Sequence, residues 1–453
     1  MLDSTQLTFD YRDEFQRKTV AEKVIQLLES DIDISPMIID GGWGTGKTEF
    51  CHKLINLMME RDIHQPIYIN AFLADHSDEP LLTILAEVLK LIPDEEQLES
   101  TMKKVLPAVR FGLKTLAKGA VAHLLRQDAT DVVNDFDKEI SEVTNKAIDA
   151  SVEAMLKDHI KANESLTALQ NTLKELAEIK PIVIFIDELD RCRPNFAISI
   201  LEVIKHTFNV EGVKFVLITN TQQLKASINH CYGYSVDAHR YLDKFLQFSF
   251  ILPNTFKADQ RNNLEKASII HCKNLLRTSI ALSNTQLSQG CFFEFIGKII
   301  HANSLSLREV ETLVRHLEVY QILTNVDGLE NNIINGYKII RIWGVALFAL
   351  RPDIAKSITD DRSDATLLGN FFGENGLPNW DGRHPYPEYN QVFLMALGRE
   401  CYFNADLYKP SSDEALSRWE HYFNQLFGNH FPPSIGERLP ILAETIRKMT
   451  FAL

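Results

Sequence analysis

Pro36-Met37-Ile38-Ile39-Asp40-Gly41-Gly42-Trp43-Gly44-Thr45-Gly46-Lys47-Thr48 is the stretch that decides the fold. A short apolar run fit for a buried strand leads into a turn carrying four glycines, and Phe50, Cys51, Leu54, Leu57 and Met58 then recur at helical spacing. Residues 41–48 satisfy G-x-x-x-x-G-K-[ST] between a predicted strand and a predicted helix, the setting that a phosphate-cradling loop requires. Glycines let successive backbone N–H groups turn inward around an anion, and the helix N-terminus behind them adds partial positive charge. Lys47 is placed to meet the β- and γ-phosphates of a nucleotide, and Thr48 to ligate Mg²⁺. By average residue usage the bare pattern arises by chance in on the order of one chain in a hundred of this length. Its position between strand and helix therefore carries the assignment. The candidate nucleotide-contacting set is Gly41, Gly42, Trp43, Gly44, Thr45, Gly46, Lys47, Thr48 and Glu49.

Outward from this loop, strand and helix patterns alternate. Val20, Val24, Ile25 and Leu28 predict an opening helix, Pro66 to Phe72 a second strand, and Pro80 to Leu91 a helix. From about Pro93 to Ile179 a helical stretch interrupts the alternation, with Leu166, Leu169, Leu173 and Leu176 at three- and four-residue intervals. Strands resume at Ile182 to Ile186, Lys214 to Thr219 and Phe248 to Leu252, with helices between them. This order predicts an α/β core, a parallel sheet between helices with ligands at the carboxyl ends of its strands. Beyond Pro253 the strand signal disappears and helical segments follow, such as Leu305 to Leu323 and Gly336 to Leu350, with a loop-rich stretch from Gly369 to Glu388. The expected division is a core in two parts, 1–92 and 180–253, a helical insertion 93–179, a helical lid 254–325 and a C-terminal helical domain 326–453.

A second element should supply a carboxylate that organises the metal. Ile182-Val183-Ile184-Phe185-Ile186-Asp187-Glu188 is a buried-strand pattern ending in two acids. Asp187 would hold Mg²⁺ through its water shell, and Glu188 would orient and partly deprotonate an attacking water. Taken alone, two acids after a strand are equally well solvated loop residues; the upstream loop favours the catalytic role. Asn220, ending the strand Phe215 to Thr219, is a candidate to bond the attacking water or the γ-phosphate, and is also an ordinary turn residue.

The chain has 453 residues, too many for one ordinary core, and 47 basic against 61 acidic side chains give a net charge of -14. That sign argues against a general polyanion binder and against nucleic acid as a partner. The six cysteines form no C-x-x-C pair and no zinc-ligand spacing, and they read as buried thiols in a reducing compartment. His230-Cys231 and His271-Cys272 invite a metal reading, but the pattern offers no ligand geometry. Met1 to Arg17 lacks the apolar core of a signal peptide, and no run reaches the roughly 20 uninterrupted apolar residues of a spanning helix, the nearest, Val105 to Leu125 and Ile333 to Leu350, being broken by Lys or Arg, so the expectation is a cytoplasmic chain. Thr101 to Gln127 reverses the overall sign, with Lys103, Lys104, Arg110, Lys114, Lys118 and Arg126 and no acid. Such a basic amphipathic stretch suits peripheral contact with anionic lipid, an acidic protein partner, or a plain solvated face equally.

These motifs in order resemble the KAP family of P-loop NTPases. The resemblance rests on Asp13-Glu14-Phe15-Gln16-Arg17, Gly41 to Thr48, Ile67-Tyr68-Ile69-Asn70-Ala71-Phe72, Ile186-Asp187-Glu188-Leu189-Asp190-Arg191-Cys192, and Tyr241 to Gln247 through Leu252-Pro253. It spans roughly residues 10 to 320. Phe72 stands where the family usually has tryptophan, and Glu188 where it usually has aspartate; the longer acid strengthens the case for hydrolysis. The resemblance implies ATP and Mg²⁺ as cofactors, a homo-oligomer, and a protein effector. It also places Arg240 and Lys244 where related ATPases present a cation to a nucleotide, commonly a neighbouring subunit's, although a surface pair fits as well. Arg308 looks like the family's lid arginine, brought to the γ-phosphate when the lid folds over. Asp190 and Arg191, past the acids, suit an ion pair or a subunit contact. Bacterial members are often implicated in phage exclusion, so the resemblance implies Mg²⁺-dependent ATP hydrolysis driving a conformational or assembly switch. The alternatives are a nucleotide-bound scaffold that turns over negligibly and a nucleic-acid remodelling motor, against which the net charge counts.

Overall fold

A computed structural model describes residues 7–77, 79–92, 94–103, 164, 167–257, 264–325, 328–428 and 431–451. They divide into two units, Met1–Gly42 with Gly46–Leu252 and Trp43–Thr45 with Pro253–Leu453.

The first unit is built on five parallel strands, β1 (Met37–Asp40), β2 (Gln65–Asn70), β3 (Ile182–Asp187), β4 (Val213–Thr219) and β5 (Phe248–Ile251), in the order β2-β3-β4-β1-β5. Successive strand side chains point to opposite faces; both faces are buried in β1, β3 and β4, whereas the edge strand β5 is largely exposed. Ile182, Ile184 and Ile186 of β3 join Phe215 and Leu217 of β4 in one core, while Val183 and Phe185 join Val216 and Ile218 in the other. That is why β3 reads as an uninterrupted apolar run. Helices α1 (Lys18–Glu29) and α2 (Lys47–Arg61) cover the second of these cores. The first is covered by α4 (Pro80–Leu89), the helical residues 167–179, α5 (Pro194–Thr207) and α6 (Thr221–Tyr232), with Leu169 and Leu173 buried in it. The short helices α3 (Ala71–Ala74) and α7 (Ala238–Leu242) follow β2 and α6. Asp13 starts α1 by accepting from the N–H groups of Arg17 at 2.7 Å and Lys18 at 3.0 Å, which gives the first sequence motif its physical role. The second strand ends at Asn70 rather than Phe72, because the Asn70 side chain accepts from the Leu73 N–H at 3.0 Å and opens α3.

The register sets the site. Asn70 lies opposite Asp187, Asp187 opposite Ile218, and Asp40 opposite Thr219, so the carboxyl ends of four adjacent strands finish on one edge.

Among its described residues the second unit is helical except for a small antiparallel strand pair, β6 (Thr255–Lys257) with β7 (Leu264–Lys266). Sequence reading expected no strand beyond Pro253; runs of three residues are too short to show an alternating pattern. Helices α8 (Ala267–Thr278), α9 (Gly290–Ala302), α10 (Leu307–Leu323), α11 (Asn335–Leu350), α12 (Pro352–Thr359), α13 (Ala365–Phe371), α14 (Tyr389–Gly398), α15 (Asp413–Gln425) and α16 (Arg438–Met449) share one core. At its centre Trp343 stacks on Phe372 and Phe295. Ser306 and Glu309 form a capping box at the start of α10. The loop tip Trp43–Thr45 belongs to this unit, and the Gly44 carbonyl accepts from the Leu307 N–H at 3.0 Å.

Among the described residues no helix is long and apolar enough to cross a membrane. The basic stretch 101–127 lies outside the described residues except for 101–103, where Lys103 pairs with Glu99 at 3.6 Å. All six cysteines are free thiols, and burial pushes the Cys272 thiol up to about 12.

Candidate nucleotide site

The loop between β1 and α2 bends at Gly44 and Gly46, whose φ values of +73° and +80° lie in the left-handed region that side-chain-bearing residues avoid. Gly46 is the residue before α2, so the helix begins at Lys47 with its first N–H groups facing the loop. Lys47 is 9% exposed, and its Nζ donates to the carbonyls of Gly41 at 2.6 Å and Gly42 at 3.0 Å. Burial holds its pKa below the ordinary lysine value, while the charges of Asp190, Asp187 and Asp40 pull it back up.

Asp187 ends β3 at 1% exposure. Its carboxylate lies beside the Thr48 hydroxyl and accepts from the Glu188 N–H at 2.8 Å and from the Tyr68 hydroxyl at 3.2 Å. Burial raises its pKa, and those hydrogen bonds oppose the rise. The same carboxylate helps to keep the Tyr68 phenol protonated, after burial itself. Glu188 sits in a left-handed conformation with φ +61°, which turns its side chain out of the strand direction. One Glu188 oxygen pairs with the Arg191 guanidinium at 2.7 Å and the other accepts from Asn70 Nδ2 at 3.2 Å.

Two further acids fasten the frame. Asp40 accepts from the Thr221 N–H at 2.9 Å and the Thr221 hydroxyl at 2.7 Å, tying the end of β1 to the start of α6. Asp190 accepts from the Thr219 hydroxyl at 3.2 Å.

The structure thus brings together Lys47, Thr48, Asp187 and Glu188. The other predicted residues are placed differently. Glu49 pairs with Lys53 one helical turn on, at 2.7 Å. Asn220 caps α6, its side chain accepting from the Gln222 N–H at 3.1 Å. Arg240, on α7, has an 87% exposed side chain that meets Asp237 at 3.4 Å. Lys244 lies at the amino edge of the sheet, where it borders a cavity with Ser35, Pro36 and Gln247. Arg308, on α10 of the helical unit, lies against Gly44; a Cβ on that glycine would come within 3.0 Å of the Arg308 Cβ.

Tyr68 and Asn70 were not assigned roles from sequence. Both sit two residues apart on the face of β2 opposite to Ile67 and Ile69, and polar residues at alternate positions near a strand's carboxyl end are the signal that marks them.

The donor set suits a hard divalent cation with a polyphosphate. Thr48 and Asp187 offer oxygen atoms, Lys47 a cation, and the loop and helix N-terminus offer N–H groups. Fold and site together define a P-loop NTPase. A family model described as the KAP family P-loop domain matches residues 17–324, and the chain belongs to that family. It is also similar to the Phage T7 exclusion protein of Escherichia coli (strain K12), 23% identical over 267 residues. That stretch covers 54% of this chain and 34% of the relative, so the match spans about a third of the relative's length.

Proposed function

We propose that this chain binds ATP with Mg²⁺, hydrolyses it, and uses the cycle to drive a conformational or assembly switch in defence against phage. The observation that carries the chemistry is the Thr48 hydroxyl, just behind the phosphate loop, lying beside the Asp187 carboxylate at the end of the buried strand β3, which β4 separates from β1. Lys47 and the loop N–H groups would hold the phosphates, and Thr48 with Asp187 would hold the metal. When bound, Mg²⁺ supplies charge neutralisation at the phosphoryl oxygens. Glu188 orients a water and accepts its proton. Asn220 is a candidate second contact to that water.

The defence role rests on the relative's name alone. Two cations complete the proposal: Arg308 from the helical unit, and Arg240 from a neighbouring copy in a homo-oligomer. The exposure of the Arg240 side chain supports action outside its own chain. A protein effector would read the nucleotide state.

A second reading, a nucleotide-bound scaffold with negligible turnover, draws support from Glu188 being tied to Arg191 and Asn70. Phosphate release and ATP binding by wild type and Lys47→Ala separate the readings. The enzyme reading expects Mg²⁺-dependent release, and loss of both properties in the variant. Replacing two charge-assisted phosphate contacts costs about 3–6 kcal/mol, a loss of roughly 10²- to 10⁴-fold in affinity. Tight ATP binding that persists in Lys47→Ala would overturn the assigned site, whereas bound ATP that stays intact on wild type supports the scaffold.

A further inference from the structure

The helical unit holds a cavity of about 300 Å³ bordered by α9, α14, α15 and the loop before α14. Its lining includes Tyr386, Tyr389 and Tyr422, and the polar residues Glu294, Lys298, Glu388 and Asn390. The polar groups divide unequally into donors and acceptors. Lys298, the one cation among the described lining residues, is ion-paired with Glu388. Glu388 is further occupied by its capping box at the start of α14. Glu294 has no hydrogen bond or ion pair among the described residues, and neither do the hydroxyls of the three tyrosines. Asn390 is 3% exposed; its Nδ2 donates to Glu374 at 2.7 Å, and its Oδ1 is closed off from solvent, so it offers the cavity no acceptor. What remains open to the cavity is a carboxylate and phenol oxygens, beside ring faces that attract positive charge.

We propose that this cavity binds a small organic cation through an ammonium or guanidinium head, with Glu294 as counter-ion and Tyr386, Tyr389 and Tyr422 as walls. An N–H-rich cation satisfies the leftover acceptors, and a carboxylate with aromatic faces selects it over a neutral molecule of equal shape. Burial raises the pKa of Tyr389 and Tyr422, so both remain neutral walls rather than phenolates. The rings of Tyr386 and Tyr422 are 5.9 Å apart, and Trp380 stands 6.0 Å from the first and 5.8 Å from the second, close enough to report on occupancy. This site is separate from the phosphate loop and does not depend on ATP chemistry.

Butylammonium and butylguanidinium titrated into the full chain, followed by tryptophan fluorescence and calorimetry, test it, with 1-butanol as the neutral counterpart. Expected is saturable binding of at least one cation, at least tenfold tighter than 1-butanol. Glu294→Gln should weaken it about tenfold or more, Tyr386→Ser should weaken it as well, and Lys47→Ala should leave it unchanged. Both weakening substitutions fall on exposed side chains, and circular dichroism confirms that the variants are folded. No saturation by about 10 mM, equal binding of 1-butanol, or full affinity in Glu294→Gln overturns the proposal.

Discussion

Replacing Glu188 by glutamine isolates the catalytic proposal, because it removes a charge and almost nothing else. Glutamine keeps an oxygen that can accept from Asn70 Nδ2, now 3.2 Å from the glutamate, and matches its volume. It loses the ion pair with Arg191, whose side chain is 34% exposed against 16% for Glu188. With one partner about a third exposed, solvent screens the pair, and its loss costs about 1 kcal/mol or less of stability. A general base contributes about 10²- to 10⁴-fold to the rate, which corresponds to about 3–5 kcal/mol of barrier. Glu188→Gln should therefore hydrolyse ATP at least a hundredfold more slowly while binding it as tightly as wild type. Single-turnover phosphate release reads the first quantity, and titration of a fluorescent ATP analogue reads the second. Hydrolysis within about threefold of wild type would remove Glu188 from the base role, since that is under 1 kcal/mol. Parallel loss of binding would show that Glu188 holds the nucleotide instead.

Gly46→Ala puts a side chain at φ +80°, at a cost of about 1–2 kcal/mol, and should weaken ATP binding by distorting the loop; unchanged affinity would show that the loop tolerates another backbone. The affinity for Mg²⁺-ATP should be bounded in pH on both sides. The metal needs ionised Asp187, whose raised pKa moves the acid limit above that of an ordinary aspartate, and the phosphates need charged Lys47, whose lowered pKa moves the alkaline limit below that of an ordinary lysine. Binding measured across pH checks this, and an acid limb that survives unaltered in Asp187→Asn would sink the assignment. Asp13→Ala removes the carboxylate that accepts two N–H groups at the start of α1 and should cost about 1 kcal/mol, read as a lower denaturation midpoint; no shift would mean that water replaces the cap.

How far the sequence was legible depended on the length of the pattern. The strands β3 and β4 are long apolar runs, the short β1 is marked by the glycine turn behind it, and that glycine spacing needs nothing beyond local backbone geometry. The strand pair β6 and β7 escaped because three residues cannot display a period of two. Tyr68 and Asn70 escaped for a different reason: they act on Asp187 and Glu188, which lie 119 and 118 residues away in the chain. A partnership across that distance has no local signature.

By itself the order of residues determined the phosphate loop, the acid pair, and the strand–helix alternation that forces a parallel sheet. These follow from backbone freedom at glycine, from burial of apolar runs, and from the handedness of crossover connections. Only tertiary structure decided which side chains hold those groups. Strand order placed β3 between β2 and β4, and so set Asn70 beside Glu188 and Thr219 beside Asp190. The same packing left Arg240 exposed and turned Asn220 into a helix cap, because a polar side chain takes whichever partner the fold brings within about 3 Å.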